Sequence, residues 1–163
     1  MEISEKELAT QAKKVIEKIL YITIASVNSK GEPWNSPVYS AFDENYNFYW
    51  VSWTENQHSK NLAENPNAFV VIYDSTVPEG TGFGVYVKGK VQQLKENNLE
   101  INKAIKLLYE RKNNKPNRPE EFLGKFPRRI FKLTPEEIWV NSSRNLSVSP
   151  IDVRIDITKE LLK

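Results

Sequence analysis

The feature that most restricts this chain is a set of three short β-rich runs joined by turns too brief for a crossover. Tyr21–Val27 (YITIASV), Glu32–Phe42 (EPWNSPVYSAF) and Phe48–Trp53 (FYWVSW) are separated only by Asn28-Ser29-Lys30-Gly31 and by Asp43-Glu44-Asn45-Tyr46-Asn47. Parallel neighbours need a connection of about a dozen residues or more, so these strands form an antiparallel meander. Gly31 can take the positive φ that such a turn requires. Pro33 and Pro37 cannot donate to a ladder, which confines them to the start of the second strand, an edge or a bulge. A bulge there would re-aim Asn35 and Ser36.

Further strands are expected at Ala68–Tyr73, Phe83–Leu94 and Arg128–Val140, the last interrupted by Thr134-Pro135. Val85, Val87 and Val91 share a face if Gly89 stays in register; Gly89 alternatively marks a bulge. Helical spacing of Ile3, Leu8, Ala12, Val15, Ile16, Ile19 and Leu20 predicts a helix over 3–20, capped by Ser4 with Glu7 three residues on. It is expected to cover an opening of a sheet or barrel. Leu99, Ile101, Ile105, Leu107 and Leu108 predict a second helix over 95–112, and a short helix is expected over 119–123. The tail, 142–163, ends in IDVRIDI, which reads either as an edge strand or as an arm lying on a partner. Six short strands with helices off their ends imply a mainly β fold closed into a small barrel, which removes exposed edges. A mean hydropathy of −0.56 is low for so many strands, and burial on dimerisation would help.

The length, 163 residues, suits a single domain spanning 1–163. Its parts are an N-terminal helix (1–20), a barrel core (21–141) carrying helices near 58–65 and 96–112, and the arm (142–163). No cysteine is present, so disulfides, thiolate metal sites and cysteine nucleophiles are excluded. A single histidine argues against a metal centre. A net charge of +2 does not argue for nucleic acid, although basic residues cluster at Lys112–Arg118 and Lys125–Lys132. No run reaches the ~20 apolar residues of a membrane helix, and the acidic, polar start MEISEKELAT lacks the form of a signal peptide. The expected setting is cytoplasmic.

Function concentrates between Phe48 and Asp74. A strand runs into a polar turn, then a short helix whose first turn lies near His58-Ser59-Lys60-Asn61 and which Asn65-Pro66 ends. A helix N-terminus offers unpaired N–H groups and a positive dipole end, a ready site for phosphate. Tyr49, Trp50 and Trp53 just upstream could add a flat apolar surface, so a nucleotide-like ligand with a planar ring fits. The same residues admit a plainer reading. Thr54 could cap an earlier-starting helix with Gln57 three residues on, and the aromatics could simply fill a core.

In order and spacing, YITIASVNSKGEP, NSPVYSAFDE, FYWVS, His58-Ser59-Lys60-Asn61-Leu62 before Asn65-Pro66, VYVKGKVQQL and Pro135-Glu136-Glu137-Ile138-Trp139 resemble the flavin-binding split-barrel family related to pyridoxine/pyridoxamine 5'-phosphate oxidase. The resemblance runs from about Tyr21 to Trp139. It implies a six-stranded antiparallel split β-barrel that is homodimeric and binds FMN in two clefts at the subunit interface. By position, it implies that Asn35, Ser36, Pro37 and Val38 line the flavin ring. Trp50, Val51 and Ser52 would flank the ring and ribityl chain, and Gln57, His58, Lys60 and Asn61 would hold the phosphate. The second subunit would add Gly84, Val85, Trp139 and Arg144. The departures are specific. The oxidase's second-strand arginine and lysine become Asn35 and Ser40, and its basic pair opening the short helix becomes Gln57-His58. Its C-terminal arginine/histidine substrate motif is replaced by Asn141-Ser142-Ser143-Arg144-Asn145-Leu146.

The resemblance therefore implies an FMN-dependent oxidoreductase on a small, planar substrate, distinct from a true pyridoxamine-phosphate oxidase. No residue reads as a dedicated acid or base, and the catalytic residues stay unassigned; Tyr39 and Tyr86 are open candidates for substrate stacking. Three alternatives stand beside it. One is a deazaflavin coenzyme whose longer anionic tail would use Arg128-Arg129 or Lys88-Lys90. Another is a non-catalytic flavin-binding or stress-type protein. The last is a split barrel with a decayed site.

Overall fold

The computed structural model describes residues 3–96, 99–142 and 153–162. Arg144 lies outside them. Helix α1 spans Glu5–Lys18 behind the capping box of Ser4 and Glu7 that its sequence predicts. Strands β1 (Tyr21–Val27), β2 (Pro33–Phe42) and β3 (Phe48–Trp53) follow as the meander. Then come α2 (Gln57–Glu64), β4 (Asn67–Tyr73), β5 (Gly84–Gln93), α3 (Leu99–Arg111), a 3₁₀ turn at Pro119–Phe122, β6 (Arg128–Ser142), β7 (Val153–Asp156) and α4 (Thr158–Leu161). The sheet order is β3-β2-β1-β4-β5-β6-β7, and β3 also pairs with β6, so six antiparallel strands close into a barrel. The IDVRIDI tail supplies β7, an edge strand on β6.

The barrel is split at the start of β2. Only Ser40–Phe42 of β2 pair with β3, while Pro33–Tyr39 pair with β1 alone. Pro37 is therefore tolerated, because one side of the strand needs no donor at that point. Of the three places open to the prolines, Pro33 takes the start of the strand and Pro37 its unpaired edge, and there is no bulge: the β1–β2 register runs evenly from Tyr21↔Tyr39 to Val27↔Pro33. Asn35 and Pro37 consequently face outwards, and Ser36 and Val38 inwards.

β6 is continuous through Thr134-Pro135 rather than interrupted. Gly89 pairs with Pro135 and Lys88 with Glu137, so Glu136 is an extra residue. The inward set shifts accordingly from Phe131 and Leu133 to Ile138 and Val140. A Cβ on Gly89 would lie 2.2 Å from the Thr134 carbonyl oxygen, which is why glycine stands opposite the bulge. The helix expected from residue 95 begins at Leu99, because Leu94 still donates to the Ile130 carbonyl and belongs to the sheet.

Two apolar clusters result. Inside the barrel, Ile22, Ile24, Trp50, Val70, Ile72, Val85, Val87, Val91 and Leu133 meet Leu8, Ala12 and Ile16 of α1 and Leu62 of α2. Outside the β2-β3-β6 wall, α3 and the 3₁₀ turn bury Ala41, Tyr49 and Ile130. Arg111 of α3 donates to the carbonyls of Ile16, Glu17 and Ile19, capping the C-terminal end of α1, and its guanidinium lies 5.1 Å over the Phe42 ring. Asp43 ties the β2–β3 turn to α3 by accepting from Asn47, Tyr49 and Lys103. Burial opposes its ionisation, but the bonds from Asn47 and Lys103 outweigh that and hold the carboxyl below its usual range. No described helix is long and apolar enough to cross a membrane.

Candidate functional site

The β3–α2 turn is the most polar buried place among the described residues. β3 is buried along Phe48–Trp50 and delivers Ser52, 5% exposed, at its end. The helix then starts at Gln57 with Asn56 as N-cap, not at Thr54. Asn56 makes no side-chain capping bond; its Nδ2 donates to Ser52 Oγ (2.9 Å). The first-turn N–H groups of α2 therefore lack a capping side chain. In that same turn Ser59, 3% exposed, has a hydroxyl with no partner. An uncapped helix start beside an orphaned buried hydroxyl is a donor set without its acceptor, and it fits an anionic group such as a phosphate.

His58 lies beneath this turn, 6% exposed. Its Nε2 is 2.7 Å from Ser52 Oγ and its Nδ1 is 3.1 Å from Ser36 Oγ. Ser36 in turn accepts from Trp34 Nε1 at 3.1 Å. The result is a chain, Trp34–Ser36–His58–Ser52–Asn56, that links β2, β3 and α2. Burial pushes the imidazole pKa below its ordinary value, so His58 is neutral at neutral pH. A second chain runs from Gln57 Nε2 to Asn61 Oδ1 (2.7 Å) and from Asn61 Nδ2 to Ser26 Oγ of β1 (3.2 Å).

The structure thus places Ser36, Ser52 and His58 in one hydrogen-bonded chain and Gln57 and Asn61 in a second, both running from α2 to the strands beneath it. The roles shift, however. The side chains of His58 and Asn61 are occupied in positioning β1, β2 and β3 against α2, so the direct donors at the turn are the backbone and Ser59. Lys60 is on the surface and pairs with Glu55 at 3.0 Å. Trp50 is fully buried and stacks on Phe131 with ring centroids 5.7 Å apart, so its indole is a core residue rather than a ligand surface. Val51 packs on the outer cluster beneath α3. Val38 is core, while Asn35 and Pro37 are exposed on the outer face of β2.

Gly84, Val85 and Trp139 do not join this group within one chain: β6 pairs with β3 only over Arg128–Leu133, while Trp139 pairs with Tyr86 and Asp156. Val85 is core, and the Gly84 amide donates to Asn141 Oδ1. Trp139 lies on the outer face of β6, stacked on Phe69 (6.1 Å), with Tyr86 beside them and the Arg154 guanidinium 4.1 Å over the Tyr86 ring. Tyr73 and Tyr21 continue this face at 51% and 60% exposure. The aromatic wall is thus the planar apolar surface that the sequence reading sought in β3. Tyr39 points to the α3 side, with Lys112 Nζ 4.9 Å over its ring.

Sequence reasoning missed Ser26, Trp34, Asn56, Phe69 and Arg154 as members of these two surfaces; it had Ser59 among the donors of the helix start but not in the set of residues the family resemblance implies. The signal for Ser26 was present: it is a polar residue at an inward position of an alternating strand. No group of acidic or histidine side chains among the described residues could hold a metal ion.

Residues 8–142 match the family model described as pyridoxamine 5'-phosphate oxidase, and the chain belongs to that family. No curated protein matches the sequence. Similar solved structures include HutZ, the heme storage protein from Vibrio cholerae (15% identity, 82% of this chain and 94% of that one, TM-score 0.67). Another is Campylobacter jejuni ChuZ (12% identity, TM-score 0.71), of which the match covers 58% against 88% of this chain. A third is an F420 reductase (21% identity, 77% and 94% coverage, TM-score 0.55). At these identities the likeness is one of fold.

Proposed function

We propose that this protein is an FMN-binding flavoprotein that acts as an oxidoreductase on a small planar substrate, with the flavin held between two copies of the chain. The observation that carries the reading is the start of α2: an uncapped helix N-terminus beside the partnerless, buried Ser59 hydroxyl. The backbone N–H groups there and Ser59 would hold the phosphate, with Lys60 adding charge from the surface. Exposed Asn35 and Pro37 of β2 would meet the ring. The Phe69–Tyr86–Trp139 wall, uncovered by any described helix, would come from the second subunit. Such a face suits a partner of its own kind, because the half-site it lacks stands on the far side of the same barrel.

FMN, when bound, supplies hydride chemistry; the chain's contribution is to orient it and exclude water. None of the described residues at the turn is placed as an acid or base: His58 is committed at both nitrogens.

Two features weigh against the alternatives. A longer anionic coenzyme tail would have to draw Lys88 and Lys90 from Glu137 and Glu136, Arg128 from Glu121 and Arg129 from backbone carbonyls, a larger rearrangement than the single surface pair Lys60–Glu55 that a phosphate would disturb. A haem held by histidine would need a free imidazole, and the single histidine of the chain is buried between two serines. The test is the absorption spectrum of protein mixed with excess FMN and then freed of unbound ligand. A retained, shifted flavin band is expected; a colourless protein overturns the reading.

A further inference from the structure

Both ends of the chain Trp34–Ser36–His58–Ser52–Asn56 donate inwards. Trp34 Nε1 is a donor only, and Asn56 donates through Nδ2, so the two serine oxygens each accept one bond from outside. Between them stands the imidazole. When neutral it offers one donor and one acceptor nitrogen. One serine then gives its hydrogen to the ring, while the other accepts from the ring and keeps its hydrogen free. When protonated, the ring donates to both serines, and both hydroxyl hydrogens are released. The chain thus has one hydroxyl hydrogen free in the neutral state, and two with a positive charge in the protonated state.

Nothing nearby compensates that charge. β1, β2 and β3 carry no charged residue. The turn and α2 carry Glu55 and Lys60, paired with one another at the surface, and Glu64. β5 brings Lys88 and Lys90, both paired. β6 places Arg129 opposite Ser52, and this cation is held by the carbonyls of Gly124, Phe126 and Arg128. Burial alone lowers the affinity of His58 for a proton. The missing counter-charge is an anion at the α2 start, one hydrogen bond from Ser52 through Asn56.

We propose that His58 is a specificity-determining residue that takes up a proton as the phosphate of the flavin seats on α2, selecting the phosphorylated flavin over its uncharged parent. This rests on the FMN reading above and names how the same site recognises its ligand. The phosphate gains a buried positive charge beneath the turn; riboflavin, with no anion to offer the turn, gains none.

The chain has a single histidine, so its imidazole signals need no assignment. The experiment is an NMR pH titration of His58 in the free protein, in protein saturated with FMN, and with riboflavin. FMN is expected to raise the imidazole pKa by about one unit or more, roughly tenfold in proton affinity, and riboflavin to leave it unchanged. FMN retained with no rise, or an equal rise with riboflavin, overturns the proposal while the functional reading stands. Failure of FMN to bind at all overturns both. The measurement uses the unaltered protein, so it does not depend on a variant that folds.

Discussion

Replacing His58 with phenylalanine has a consequence that depends on pH, and the dependence is more telling than the loss itself. The phenyl ring fills the same space but makes neither of the bonds at 2.7 and 3.1 Å. The serine oxygens keep Trp34 Nε1 and Asn56 Nδ2 as donors. What disappears is two hydrogen bonds worth about 1 kcal/mol each, with the added cost of a buried hydroxyl hydrogen left without an acceptor. At pH 7.5 the flavin-free His58→Phe protein should be less stable by about 2–4 kcal/mol, a fall in Tm of about 5–15 °C for a chain of this size. Burial lowers the folded-state pKa of His58. Below about pH 6.5, the ordinary histidine value, the unfolded chain therefore binds a proton that the folded wild type resists. The stability that neutral His58 contributes is complete above that pH and is lost as pH falls towards the folded-state pKa. Phenylalanine does not titrate, so the gap between the two proteins should be widest at pH 7.5 and narrower at pH 5. Carboxylates such as Asp43 titrate alike in both and cancel. Urea unfolding at the two pH values measures the gap. A gap that stays constant or widens in acid would refute the picture of a buried, neutral imidazole.

Three other outcomes follow from the same geometry. Ser59→Ala removes a hydroxyl with no partner, so thermal stability should be unchanged or slightly raised. FMN affinity should drop by roughly tenfold to a hundredfold, the worth of one hydrogen bond to a charged group, in a fluorescence titration; equal affinity would remove Ser59 from the site. Gly89→Ala sets a methyl against the Thr134 carbonyl at 2.2 Å and should cost about 1–3 kcal/mol in denaturant unfolding; a neutral result would mean that the β6 bulge yields. Arg111→Met removes the cap on α1 and the stacking on Phe42. It should destabilise by about 2–3 kcal/mol, and hydrogen exchange should rise first in α1, a pattern whose absence would speak against the cap.

The meander was legible because its turns are short and its chemistry is local: Gly31 does take φ +81°, and Ser4 with Glu7 does cap α1. The order of all six barrel strands was legible through the family resemblance, while the register of β6 was not. Pro135 looks like a break in one dimension; only the pairing across to Gly89 shows that the strand absorbs one extra residue and continues. The donor-rich turn was legible in His58-Ser59-Lys60-Asn61, but which of these donors are left without a partner was not. Which side chain faces solvent depends on how α2 rolls against β1 and β2. That rotation buries His58 and Asn61 in bonds to the strands, leaves Lys60 outside, and leaves the Ser59 hydroxyl without a partner. Trp50 was misjudged for a similar reason: β3 is covered on both sides, by the barrel interior and by α3. The flat aromatic surface lies on β4, β5 and β6 instead, where three residues far apart in sequence meet only through strand pairing.

Sedimentation velocity of the FMN-mixed protein, followed at the visible band of the flavin, tests the central claim most directly. The account predicts that the flavin sediments with a species of two chains, carrying about one flavin per chain. Flavin travelling with a single chain would contradict the shared cleft, and flavin left behind with the solvent would contradict the site itself.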